Sequence, residues 1–232
     1  MLRLRLLWIV ASLLCGGCLS GSAQPSPHRP PEYGQPPADL ANALVQMARA
    51  SHVPLIAELV APLPEVPTAE GNPLTSEALN DLVKQATGYE WKMEGKAIHF
   101  YNKKLRQARF NFLNLKIARF SIPPNLSDLK LWFPGQAEGL LEGYSGIGGM
   151  TTGFGDTLLE KEKLRPEELE NVTPLEALVH IANESPTFYT VLVFPSAAPT
   201  KNDVKTRVVW QWGSLNEKLT PLYALPPRAD SH

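Results

Sequence analysis

The chain has 232 residues, room for one large domain or two small ones. Its 22 Lys and Arg residues nearly balance 23 Asp and Glu residues, and the net charge of −1 excludes a global field that would recruit nucleic acid or an acidic membrane surface. Both cysteines, Cys15 and Cys18, lie within the first twenty residues, so a chain processed at Ala23 has no disulfide, no cysteine nucleophile and no thiolate metal site.

Residues 1–23 have the three parts of a signal peptide. Arg3 and Arg5 supply the positive end, Leu6 to Leu14 a short apolar core, and Gly21-Ser22-Ala23 the small residues for cleavage, giving a mature start at Gln24 and an exported, periplasmic protein. The apolar run is too short to span a hydrocarbon core of about 30 Å. Cys18 follows Gly16-Gly17 and is a candidate lipidation site, although Cys15 stands where that motif has an aliphatic residue. With lipid on Cys18 the protein is tethered to the outer membrane; without it, no membrane contact is expected. Residues 24–37 contain six prolines and read as an extended linker.

An α+β domain is expected over residues 38–104. Asp39 caps a helix running to about Ala50, with Leu40, Leu44 and Met47 on one face. Val53 to Val60 reads as a strand, and Glu65 to Ala69 as a short strand across from it. Thr75 then caps a second helix with Leu79 and Leu82 on its apolar stripe, and Gly88 sits where a left-handed helix cap belongs. Tyr89, Trp91 and Met93 alternate with Glu90, Lys92 and Glu94 at strand period. Gly95 turns the chain, and Ile98 and Phe100 continue on the return strand.

These residues carry a resemblance. ADLANALVQMARASHVPLIAELV (38–60) and LTSEALNDLVKQATGYEWKMEGKAIHFY (74–101) resemble the secretin and TonB short N-terminal domain. Leu40, Ala43, Leu44 and Ala48 match its first helix; Glu77, Ala78, Leu79, Leu82, Gly88 and Tyr89 match its second helix and hairpin. The proline-rich stretch from Ala61 to Pro67 departs from the pattern. The resemblance implies a periplasmic docking or signalling module of the kind found beside secretin pores and TonB-dependent receptors of the outer membrane. It would be non-enzymatic, with no catalytic residue and no cofactor, and its partner would be a protein of the cell envelope.

Residues 105–220 are expected to form a second, divergent α+β lobe of the same helix, strand, strand, helix, hairpin type. Residues 102–119 fit either a helix or a strand, with the strand favoured toward Phe120-Ser121-Ile122. Leu126, Leu129 and Phe133 follow as a short helix. The glycine-rich stretch 139–155 reads as a flexible loop or bulged hairpin. Gly143-Tyr144-Ser145-Gly146-Ile147 falls one glycine short of a nucleophile elbow, which keeps a secreted hydrolase as an alternative. Thr173-Pro174-Leu175-Glu176 is a capping box opening a helix whose Glu176-Ala177-Leu178 mirrors Glu77-Ala78-Leu79. Strands follow at Tyr189 to Phe194 and Lys205 to Trp212, and residues 221–232 form a tail. A small-ligand carrier, with an apolar pocket between the lobes, is a further alternative.

Side chains with chemistry give little. The five histidines include no pair at metal-ligand spacing, and His180 and the acids from Glu160 to Glu170 read as solvated faces. The candidate partner-binding residues are Ile98 and Phe100 on one strand and Val209, Trp210 and Trp212 on another. Both strands are expected to be open sheet edges at which an extended peptide adds.

Overall fold

The computed structural model describes residues 38–67, 72–109, 111–128, 162–198 and 208–216. The expected signal peptide (1–23), linker (24–37), glycine-rich loop (139–155, with Ser145) and tail (221–232), together with Cys18, Leu129 and Phe133, lie outside these residues.

The described part is α+β, organised on β2 (Leu55–Val60). Every strand position of its LIAELV run but the last is buried, as expected for a strand covered on both faces. β5 (Ala97–Asn102) and β8 (Phe188–Phe194) flank it, both parallel to it. β4 (Tyr89–Glu94) pairs antiparallel outside β5, and β9 (Val209–Ser214) antiparallel outside β8. The order across the five-stranded sheet is β4-β5-β2-β8-β9. Two small antiparallel ribbons accompany it. β1 (Ala38–Asp39) pairs with β3 (Glu65–Val66), and β6 (Ile117–Ile122) with β7 (Glu167–Val172).

Helices cover both faces. α1 (Leu40–Ser51) and α2 (Ser76–Gln85) lie on one, burying Leu44, Leu79 and Leu82 against Leu55, Ala57, Phe100 and Val191. α4 (Pro174–Glu184) lies on the other, burying Leu175, Leu178 and Ile181 against Ile56, Leu192 and Phe194. The short α3 (Lys103–Gln107) and a 3₁₀ turn at Phe112–Asn114 join that second layer.

The local start signals hold. The Asp39 and Thr75 side chains accept from Asn42 N and Ala78 N at 2.8 and 3.2 Å. Thr173 and Glu176 form the reciprocal capping box. α2 stops earlier than Gly88: its cap is Ala86, and Gly88, at φ +88°, turns the chain two residues later.

Three expectations are corrected. The short strand at Glu65 pairs with β1 rather than with β2, because β2 is occupied on both sides. The boundary at residues 104 and 105 does not separate two sheets, since β8 pairs directly with β2 along its whole length. The two helix-and-hairpin units share one sheet, with β2 between them and their helices on opposite faces. The strand Ala97–Tyr101 is interior, paired on both sides, rather than an edge.

Candidate functional site

The outer strand β4 is one candidate surface. It is joined to β5 by the two-residue turn Gly95-Lys96, with Gly95 at φ +62°. Ile98 N donates to Pro54 O at 2.9 Å, away from β4. The Met93–Ile98 pair is therefore a non-hydrogen-bonded position of the antiparallel ladder, and by alternation so is Trp91–Phe100. The amides of Trp91 and Met93 consequently point outward, where no described strand accepts them. Met93 is 53% exposed, unusual for a large apolar side chain. Trp91 is anchored from α2, its indole Nε1 donating to Asn80 Oδ1 at 2.9 Å. On the other face of β4, Glu90 pairs with Lys103 at 2.7 Å and Lys92 with Glu94.

A buried polar string lies behind that strand. Glu58 interrupts the apolar run of β2 and is fully buried, as is His99 on β5. His99 Nε2 donates to Glu58 Oε1 at 2.6 Å, and His99 Nδ1 faces Glu94 Oε1 at 3.2 Å. Asn111 Nδ2, on the connection after α3, donates to Glu58 Oε2 at 3.0 Å. The Arg106 guanidinium on α3 approaches Glu58 at 3.7 Å, and the Tyr101 ring sits 4.8 Å from the imidazole. Burial alone pulls the imidazole pKa down, but the bonds to Glu58 and Glu94 outweigh it and hold His99 above its ordinary value. The hydrogen bond from His99, opposed by burial and reinforced by Lys92, holds Glu94 down to about 2. With a proton on each ring nitrogen, this imidazole has no lone pair with which to act as a base, nucleophile or metal ligand.

A second, half-buried carboxylate, Glu162, accepts from Ser185 Oγ at 2.6 Å and from the hydroxyls of Thr187 and Ser214. It ties the start of the second half to the ends of α4 and β9.

The residues expected at a binding surface are distributed otherwise. Ile98 and Phe100 are buried under α1 and α2, with Phe100 stacked on Tyr89 at 5.5 Å. Trp210 and Trp212 lie on an outer strand, but their side chains turn into the α4 layer. There Trp210 packs 5.9 Å from Phe112 and donates from Nε1 to Thr190 Oγ1 at 2.7 Å. Core packing, rather than an exposed aromatic platform, is their role. Val209 stands opposite Val193 on that strand, and the first three residues of the expected edge, 205–207, lie outside the described residues. His180 Nε2 lies 3.3 Å from the Glu167 carboxylate without the geometry of a hydrogen bond.

A cavity of about 350 Å³ opens beside α2, lined by Met47, Pro67, Asn72, Thr75, Glu77 and Asp81. Its lining mixes apolar and acidic groups and lies on the α1/α2 face, whereas the carrier reading expected an apolar pocket between lobes. Compared with protein-family models, with curated proteins and with solved structures, the chain matches none.

Proposed function

We propose that this chain is a non-enzymatic, exported envelope protein that binds another protein by taking an extended segment onto β4. The observation that carries the reading is the pair of outward amides at Trp91 and Met93, on an edge strand whose apolar Met93 is exposed. An added strand would accept from those amides, and its side chains would meet Met93 on one face and the Glu90/Lys92 row on the other. The charged row keeps such an edge soluble while it is unpaired. The resemblance of residues 38–101 to the secretin and TonB short N-terminal domain supports a docking role in the envelope. The imidazole closed off between two glutamates gives no support to catalysis at the principal buried polar cluster.

The test is a pull-down from envelope extract with the processed chain, followed by affinity measurements on the captured protein. Met93→Pro removes an outward donor without removing a ladder bond to β5. Binding is expected to weaken by at least about tenfold, corresponding to about 1.4 kcal/mol, with circular dichroism unchanged. A folded Met93→Pro variant that binds as tightly as the parent overturns the proposal.

A further inference from the structure

We propose that His99 is a proton-binding site whose occupancy latches the end of the outer strand β4 onto β5. The geometry carries this. Both ring nitrogens face carboxylate oxygens, at 2.6 Å for Glu58 and 3.2 Å for Glu94, so the string is complete only with a proton on each nitrogen. A neutral imidazole has one N–H and must leave one carboxylate facing a lone pair.

The two carboxylates are not equally free to leave. Glu58 is fully buried and is also held by Asn111 and approached by Arg106. Glu94 has a side chain 21% exposed and Lys92 beside it. Proton loss therefore keeps the Nε2–H on Glu58 and releases Glu94. That residue immediately precedes the Gly95-Lys96 turn. The turn is otherwise docked on the end of α4 by Lys96 N donating to Asn183 Oδ1 at 2.7 Å and Lys96 Nζ to Asn183 O at 3.1 Å. Losing the His99 contact removes the side-chain tie between β4 and β5 beside the turn, and leaves the docking of the turn on α4 to those two bonds.

The groups around the imidazole are consistent with one site. β2 contributes Glu58; β4 contributes Glu94 and Lys92, with Glu90 turned to Tyr101 and Lys103. β5 contributes Tyr101, α3 Arg106, and the following connection the neutral Asn111. On α4, Glu176 is engaged with Lys116 and His180 with Glu167, and Glu184 is exposed. The upward displacement of the His99 pKa, in which the two glutamates outweigh burial, agrees with the geometry. If β4 is the docking strand, the latch sets the order of that edge; this consequence rests on the proposed function, and the latch itself does not.

The experiment follows the protein alone, without a partner. Proton NMR tracks the His99 imidazole, identified by the resonance missing in His99→Gln. Amide exchange is read at Glu94 and Lys96 from about pH 5.5 to about pH 10, each rate divided by its intrinsic rate at that pH. Protection at both amides is expected to fall by about tenfold or more, with the midpoint of the His99 titration. In Glu94→Gln that step should vanish and His99 should titrate at lower pH, with the fold retained. Flat protection while His99 titrates, or a His99 protonated throughout, overturns the proposal. Failure of Met93→Pro to weaken partner binding would remove the docking reading and leave this result standing.

Discussion

Replacing Glu58 by Gln is the sharpest perturbation of the interior, because it keeps the shape and removes only the charge. Glu58 receives one hydrogen bond from His99 at 2.6 Å and one from Asn111 at 3.0 Å, both fully buried. A glutamine oxygen can keep one of these donors, but its amide then faces the other donor. Hydrogen bonds to charged groups contribute about 1.5–3 kcal/mol each. Removing one partner of a buried ion pair costs about 3–5 kcal/mol, since the remaining charge is left without compensation. We therefore expect Glu58→Gln to lower stability by about 3–5 kcal/mol at about pH 6, where His99 is protonated. The assay is urea unfolding followed by fluorescence and circular dichroism together. The loss should shrink as the pH rises through the His99 titration. Combining Glu58→Gln with His99→Gln should cost less than the sum of the two, since both act on one contact. A loss below about 1 kcal/mol, or strict additivity, would refute the reasoning that this string is a coupled ion pair.

The stability of the parent should depend on pH in a stated sense. His99 has a raised pKa, so its contribution is fully present below the unfolded value of about 6.5 and is lost as pH rises through the folded value. Glu94, held down to about 2, contributes above the unfolded value of about 4.3 and loses that contribution as pH falls toward its folded value. The string should thus stabilise most between about pH 4.3 and about pH 6.5, and thermal melts across that range and above it check the sign. Leu79→Ala and Leu178→Ala, fully buried on opposite faces of the sheet, should each cost about 2–5 kcal/mol in urea; an unchanged midpoint would show that the leucine is not core. Gly95→Ala should destabilise more than the cost of its positive φ alone, because a Cβ there would overlap the Asn183 carboxamide. Asn183→Ala in the same chain should relieve that clash while losing the Lys96 N–H bond to Oδ1 and keeping the Lys96 Nζ bond to the backbone carbonyl, and melting temperatures of the single and double variants separate the two effects.

What the sequence disclosed was local. Caps at Asp39, Thr75 and Thr173 are visible because a hydroxyl or carboxylate serves amides only two or three residues on. The β4–β5 hairpin is visible because its two strands meet across a two-residue turn. Strand order was hidden, since the pairing of Leu55–Val60 with Tyr189–Phe194 joins segments far apart and leaves no periodic trace at either end. The parallel pairing of the same strand with Ile98–Tyr101 moved Ile98 and Phe100 from an imagined edge into the interior. The string was missed because the histidines were compared with one another for metal-ligand spacing and not with buried acids. Its signal was Glu58, an acid inside the apolar run LIAELV, where burying a carboxylate requires a donor from another element. The inward turn of Trp210 and Trp212 was legible as core packing from the strand face they share with Val208, which is buried with them.

The central claim, docking at β4, is tested most directly by amide exchange of the protein with and without its captured partner. The account predicts that the Trp91 and Met93 amides exchange freely in the isolated protein and become protected in the complex. The Lys92 and Glu94 amides, already turned toward β5, should change little at a fixed pH at which His99 is protonated. A complex that forms while Trp91 and Met93 keep exchanging as in the free protein would contradict strand addition at this edge.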